Sequence, residues 1–161
     1  MNFSVGKCSK RFIIAIIYFS LCVAVINSCH HKNTITIEEN YPDGKLLMSC
    51  EIDTSQNRHD TLYKTEYYPN GNIKIKGSYS NNLRQGLWQY YYSNGTLWSK
   101  GKFKNGKSEG VFTVYNEDGT LYIQSSYQNG IPDGLWSFYD KGKKIKEVTF
   151  KNNTIIKTVN F

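Results

Sequence analysis

Past residue 66 the chain alternates between apolar and polar positions in short runs, and the whole pattern recurs every 24 residues. Ile73, Ile75, Gly77 and Tyr79 are matched by Leu97, Ser99, Gly101 and Phe103, then by Leu121, Ile123, Ser125 and Tyr127. Between them stand Lys74, Lys76 and Ser78, then Trp98, Lys100 and Lys102, then Tyr122, Gln124 and Ser126. A period of two with one packed and one wet face predicts antiparallel strands. The returning strands, residues 86–91, 110–115 and 134–139, carry apolar side chains on both faces. Asn-Gly and Asp-Gly pairs punctuate the runs and supply the positive φ angles of tight hairpins. Glycine inside a strand is a cost unless something needs the space. Gly77 and Gly101 are therefore expected to be small so that a neighbouring ring can cross the backbone.

Fixed-period self-similarity marks a repeat architecture in which each unit packs only on its neighbours. The ends are atypical. The first copy has Lys64 where the others have Trp or Phe, and a polar insertion at residues 53–60. The last copy, residues 139–161, lacks the Gly-Leu-Trp strand. The pattern predicts ten or so short strands and no helix after residue 40. The expected fold is all-β, an elongated single-layer antiparallel sheet of tandem hairpins.

The recurring Tyr-x-x-Gly turn, the second Asn-Gly and the Gly-x-Trp-x-Tyr/Phe-Tyr strand resemble the MORN-repeat variant family, in its bacterial YwqK-like form. The match covers residues 67–150 well and residues 41–67 loosely. The resemblance implies hairpins stacked side by side in one long twisted sheet. It implies little chemistry: some members are antitoxin- or immunity-like components, and others of the wider family bind proteins or membranes.

Upstream the pattern changes. Lys7, Lys10 and Arg11 precede an apolar run at residues 12–26. Its fifteen residues make about 22 Å of helix, short of a hydrocarbon core of about 30 Å. This reads as a signal-peptide core rather than a membrane span. Ile26-Asn27-Ser28-Cys29 then resembles the lipobox of bacterial lipoproteins, which implies cleavage before Cys29 and lipidation of its thiol. Two or three acyl chains anchor a protein stably where one does not. An uncleaved anchor, or cleavage elsewhere, is the alternative. The expected organisation is a lipoprotein signal peptide at 1–28, a tether at 29–40 and a repeat domain at 41–161. The mature part is expected in the cell envelope, on the outer or cytoplasmic membrane, outside the cytoplasm. Cys8 and Cys22 leave with the leader and Cys29 is lipidated, so Cys50 alone remains and no internal disulfide forms.

Composition adjusts this picture in two places. Aromatics make up 15% of the 161 residues, with thirteen Tyr, which favours a thin aromatic-rich sheet over a thick aliphatic core. The formal charge of +7 includes three basic residues of the leader. Without them the excess is spread evenly, an ordinary solvated surface, so no nucleic acid is expected as a partner. No spacing of Ser, His, Cys or acidic residues marks a catalytic set. Asp118 and Asp133 read as turn residues, and His30 and His31 have no cluster suited to metal. The chain is thus read as non-enzymatic, without cofactor, metal or small-molecule substrate. The candidate surface is the aromatic set Trp88, Tyr90, Phe112, Trp136 and Phe138, with Trp98 and Tyr122 on the opposite or adjoining face. These rings form either the core of a one-layer sheet or, in part, an interface, because Trp and Tyr dominate interface energetics. The expected role is a membrane-anchored module holding a protein partner, antitoxin- or immunity-like. The alternative is an envelope scaffold whose Lys74, Lys76, Lys100, Lys102 and Lys104 meet lipid headgroups or cell-wall polymer.

Overall fold

The alternating runs do form strands. The computed structural model describes residues 33–55 and 59–161. The strands are β1 (Thr34–Asn40), β2 (Leu46–Asp53), β3 (Asp60–Tyr67), β4 (Ile73–Ser80), β5 (Leu83–Tyr91) and β6 (Leu97–Lys104). They continue as β7 (Lys107–Tyr115), β8 (Leu121–Gln128), the two-residue β9 (Ile131–Pro132), β10 (Gly134–Asp140), β11 (Lys143–Lys151) and β12 (Thr154–Asn160). All lie in one open sheet in chain order, with β9 off the path and paired to β8. Every pairing is antiparallel. The fold is the expected all-β single layer.

Two kinds of turn define two ends of the sheet. At one end, each four-residue turn closes on a glycine: Gly95 N–H donates to the Tyr92 carbonyl at 2.9 Å, and Asn94 Oδ1 accepts from Thr96 N–H at 2.8 Å. Gly95 takes φ +89°, which a side chain would strain. At the other end sit two-residue turns such as Asn105–Gly106, with φ of 50° and 78°. Positive φ at both positions is the I′ geometry, whose twist matches that of the flanking strands. The tyrosine turns are also stitched together. Tyr41, Tyr68 and Tyr92 hydroxyls donate to the carbonyls of Tyr67, Tyr91 and Tyr115 at 2.8, 2.8 and 2.9 Å. Each bond therefore ties one repeat to the next.

The core is one row of side chains running across the strands. Cys50, Lys64, Gly77, Trp88 and Gly101 are register partners on one face, which we call the ring face. Phe112, Ser125, Trp136 and Val148 continue it. Large and small residues alternate along this row, so each ring lies flat over the backbone of its neighbours. A Cβ at Gly77 would fall inside the Trp88 indole, and one at Gly101 inside the Phe112 ring. The expectation for both glycines holds. Trp88 is 1% exposed, and Cys50, Ser125 and Val148 are also buried.

The N-terminal limit of the sheet differs from expectation. Thr34–Asn40, assigned to the tether, is β1, paired with β2 from Thr34↔Asp53 to Asn40↔Leu46. Its Thr-Ile-Thr-Ile alternation of β-branched residues suits a pleated edge, and Ile35 and Ile37 lie beside Ile52 and Cys50. The leader, Cys29 and the first tether residues lie outside the described residues.

Candidate functional site

On the ring face the aromatic side chains form an unbroken ladder. It runs Tyr79–Trp88–Phe103–Phe112–Tyr127–Trp136–Phe150, with ring centroids 5.0, 6.2, 5.4, 5.2, 5.4 and 5.0 Å apart. The first four contacts are edge-to-face, an arrangement the ring quadrupoles favour. Trp88 and Trp136 donate their indole N–H to the carbonyls of Ser78 and Ser126 at 3.0 and 3.1 Å. Arg84 lies 4.4 Å over the Trp88 ring and donates to the Tyr90 hydroxyl at 2.8 Å. Burial pushes the Tyr90 phenol above its ordinary pKa, against the opposing field of Arg84.

This ladder decides the role of several candidate residues. Trp88 is core and offers no accessible surface. Phe112 and Trp136 are half-buried members of the same ladder. Tyr90 and Phe138 occupy the next row toward the tyrosine turns, on the same face and half-buried.

Trp98 and Tyr122 are placed by a feature that simple alternation does not reveal. Tyr90 pairs with Ser99 but Tyr91 with Leu97, so Trp98 is the extra residue of a bulge. A bulge turns its side chain toward the face of its neighbour. The Trp98 ring accordingly stands 6.1 Å from Tyr90 and 6.2 Å from Tyr92, on the ring face. The same shift between Val114↔Ile123 and Tyr115↔Leu121 makes Tyr122 the bulge residue of the next repeat. Lys74 is its counterpart in β4, 4.0 Å from Glu66. Trp98 is 44% and Tyr122 47% exposed. Two large aromatics thus stand in solvent on adjacent repeats, and Tyr90 and Tyr92 flank Trp98. Tyr92 is the member that sequence periodicity hid, because it reads as turn punctuation.

Lys64 fills the place of a ring, and its ammonium bonds Glu66 at 2.7 Å. Burial works against its charge, but the Glu66 carboxylate outweighs that and raises its pKa above the ordinary lysine value. The opposite face mixes lysines with exposed apolar side chains, Leu87, Val111 and Leu135 among them. Lys76 and Lys100 lie 5.5 and 6.0 Å over the Tyr91 and Tyr115 rings, and Lys102 pairs with the exposed Leu87.

The carboxylates suspected of being turn residues are engaged in turns. Asp118 accepts from the Thr120 hydroxyl and N–H at 2.6 and 2.8 Å, which lowers its pKa. Asp133 accepts from Asn152 N–H at 3.0 Å and pairs with Lys151 at 3.2 Å. Among the described residues no cluster of His, Cys, Asp and Glu is placed to hold a metal.

A family profile described as the MORN repeat variant matches residues 63–81, 84–105, 108–129 and 132–152, four repeats and slightly more than half of the chain. No curated protein matches the chain. One solved structure, described as "Crystal Structure of TarM", aligns over 76% of this chain at 17% identity with a TM-score of 0.32. The alignment spans 22% of that chain.

Proposed function

Because the chain belongs to the MORN repeat variant family, whose all-β repeat sheet is a binding-type module and not a known enzyme family, we propose that it is a non-enzymatic protein-binding module held at a membrane. The partner surface is the bulge row of the ring face, Trp98 and Tyr122 with Tyr90 and Tyr92. The observation that carries this reading is the exposure of two large aromatics at the same bulge position of successive repeats in one sheet. Buried aromatic anchors supply most interface energy, and rings held by a sheet lose little entropy on binding. The anchor is the lipid on Cys29, in the YwqK-like lipoprotein organisation, with the module outside the cytoplasm in the cell envelope. An antitoxin- or immunity-like role, in which the sheet sequesters one protein, fits a surface of this kind without catalytic groups.

The lysine face supports a second reading, a scaffold touching lipid headgroups or cell-wall polymer through Lys76, Lys100 and Lys102. The two separate in one experiment. The tagged chain is captured from detergent-solubilised native membranes, as wild type and as a Trp98→Ala/Tyr122→Ala variant with unchanged circular dichroism. A stoichiometric protein lost only in the variant establishes the module and its surface. If neither sample retains a protein, but both bind anionic liposomes or sacculi in a salt-sensitive way, the scaffold replaces it.

A further inference from the structure

Among the described residues the sheet is open at both edges. β1 and β12 each pair on one side only. Ile155 and Ile156 of β12 are 59% and 63% exposed, and neither edge strand contains proline. Such edges present a row of unpaired N–H and C=O groups to any strand that fits. Charge distinguishes the two. Residues 33–60 hold Glu38, Glu39, Asp43, Glu51, Asp53 and Asp60 against two basic residues, a net of −4. Residues 141–161 hold Lys141, Lys143, Lys144, Lys146, Lys151 and Lys157 against Glu147, a net of +5. The intervening repeats carry only +2. Contrary to the expectation of an evenly spread charge, the sheet is therefore acidic at its β1 end and basic at its β12 end.

From this polarity we propose that the chain associates with further copies of itself head to tail, β12 of one copy adding to β1 of the next. Like ends repel, so the basic β12 edge disfavours a second β12 edge and the acidic β1 edge a second β1 edge. The opposite ends attract. The geometry agrees with the charge. Eleven strands lie along the path, each antiparallel to its neighbour, so β1 and β12 point the same way. Adding β1 to β12 as a parallel pair, a somewhat weaker but regular ladder, keeps the ring faces of all copies on one side. Following the register from Glu38 through Ser49 and onward to Glu147 and Val159 puts Glu38 on the same face as Lys157, with Glu39 on the face of Lys146. A heterologous contact of this kind does not use itself up, so the product is an open array rather than a closed dimer.

The test uses the protein purified from its own membrane in density-matched detergent, followed by sedimentation velocity over a range of concentrations. Wild type should sediment faster as concentration rises at low salt, and return to the monomer value at high salt. Glu38→Lys/Glu39→Lys changes the edge strand β1 itself from −2 to +2, and Lys143→Glu/Lys157→Glu changes the edge strand β12 itself from +1 to −1, so each variant sets like charges against each other across the joint. All four side chains are exposed. Each variant alone should stay monomeric, whereas their equimolar mixture should associate again, because it restores an unaltered β12–β1 joint and adds one between the altered β1 and the altered β12. Circular dichroism checks each fold. Should either variant lose its sheet, Glu38→Gln/Glu39→Gln replaces it and should weaken association at least severalfold. A monomeric wild type at every concentration overturns the proposal. So does a mixture that fails to associate. Persistent association of the first variant alone would mean a β12–β12 joint, of the second alone a β1–β1 joint, and either result overturns it as well.

Discussion

Gly101→Ala sets two well-understood effects against each other with opposite sign. In an ordinary strand the change stabilises by about 0.5–1 kcal/mol, because glycine loses more backbone entropy on folding than alanine. Here the added methyl falls on the carbons of the Phe112 ring. That ring is held laterally by Phe103 at 5.4 Å and Tyr127 at 5.2 Å, so it has no room to slide. It must lift off the sheet. Inserting a methyl into a packed core costs about 1–3 kcal/mol, and an overlap this deep belongs at the upper end. The ceiling is the loss of the whole ring, about 3–5 kcal/mol. The net expectation is a destabilisation of about 2 kcal/mol, read as a lower urea midpoint at unchanged slope. The sign should reverse when the obstacle is removed. In a Phe112→Ala background, itself destabilised by about 3–5 kcal/mol, Gly101→Ala should be neutral or stabilising. The double-mutant cycle then gives a coupling of about 2–3 kcal/mol. If Gly101→Ala stabilises the wild-type chain, the ring does not lie over that backbone, and the account of the core is wrong.

Three further outcomes are expected. Trp88→Ala should cost about 3–5 kcal/mol in the same urea titration, whereas Trp98→Ala should cost less than about 1 kcal/mol; equal losses would remove the division between core and surface. Glu66→Gln leaves the Lys64 ammonium against the sheet without its partner, and since Glu66 is partly exposed the cost should be about 1–3 kcal/mol. Lys64 has a raised folded pKa, so its contribution is complete below the ordinary lysine value and is lost as pH rises through the folded one. The difference between wild type and Glu66→Gln should therefore be flat near neutrality and shrink in strong alkali; a loss near pH 7 would refute the assignment. Cys29→Ser should abolish labelling by a radioactive fatty acid and leave a longer precursor on gels; unchanged size and anchoring would sink the lipid anchor.

The repeat fold was readable because its determinants are local and periodic. Turn glycines, alternation and the small residues at 77 and 101 each state a steric need that recurs every 24 residues. The position of the surface was harder to read, for a physical reason. A bulge inserts one residue per repeat, and from that point strict alternation assigns side chains to the wrong face. Lys74, Trp98 and Tyr122 all fall there. β1 escaped because four β-branched residues followed by two glutamates look like a solvated linker until β2 supplies a partner. The burial of Trp88 against the exposure of Trp98 depends on what covers each ring, which is a property of neighbouring strands. Composition carries no trace of it.

The alternation of ring and gap across the core row has a consequence for how such a chain changes length. One 24-residue unit contributes two strands, one bulky side chain and one small one, and, in the copies that begin at Tyr68 and Tyr92, the tyrosine that ties it to the following unit. Removing or duplicating a whole unit therefore restores tooth to slot, strand direction and hydroxyl bond at the seam, with no compensating change elsewhere. Removing a single strand would set ring against ring and reverse every strand beyond it. Variation in the number of copies should thus come in whole hairpins, and the gene can lengthen or shorten its product by unequal exchange without passing through an unfolded intermediate design.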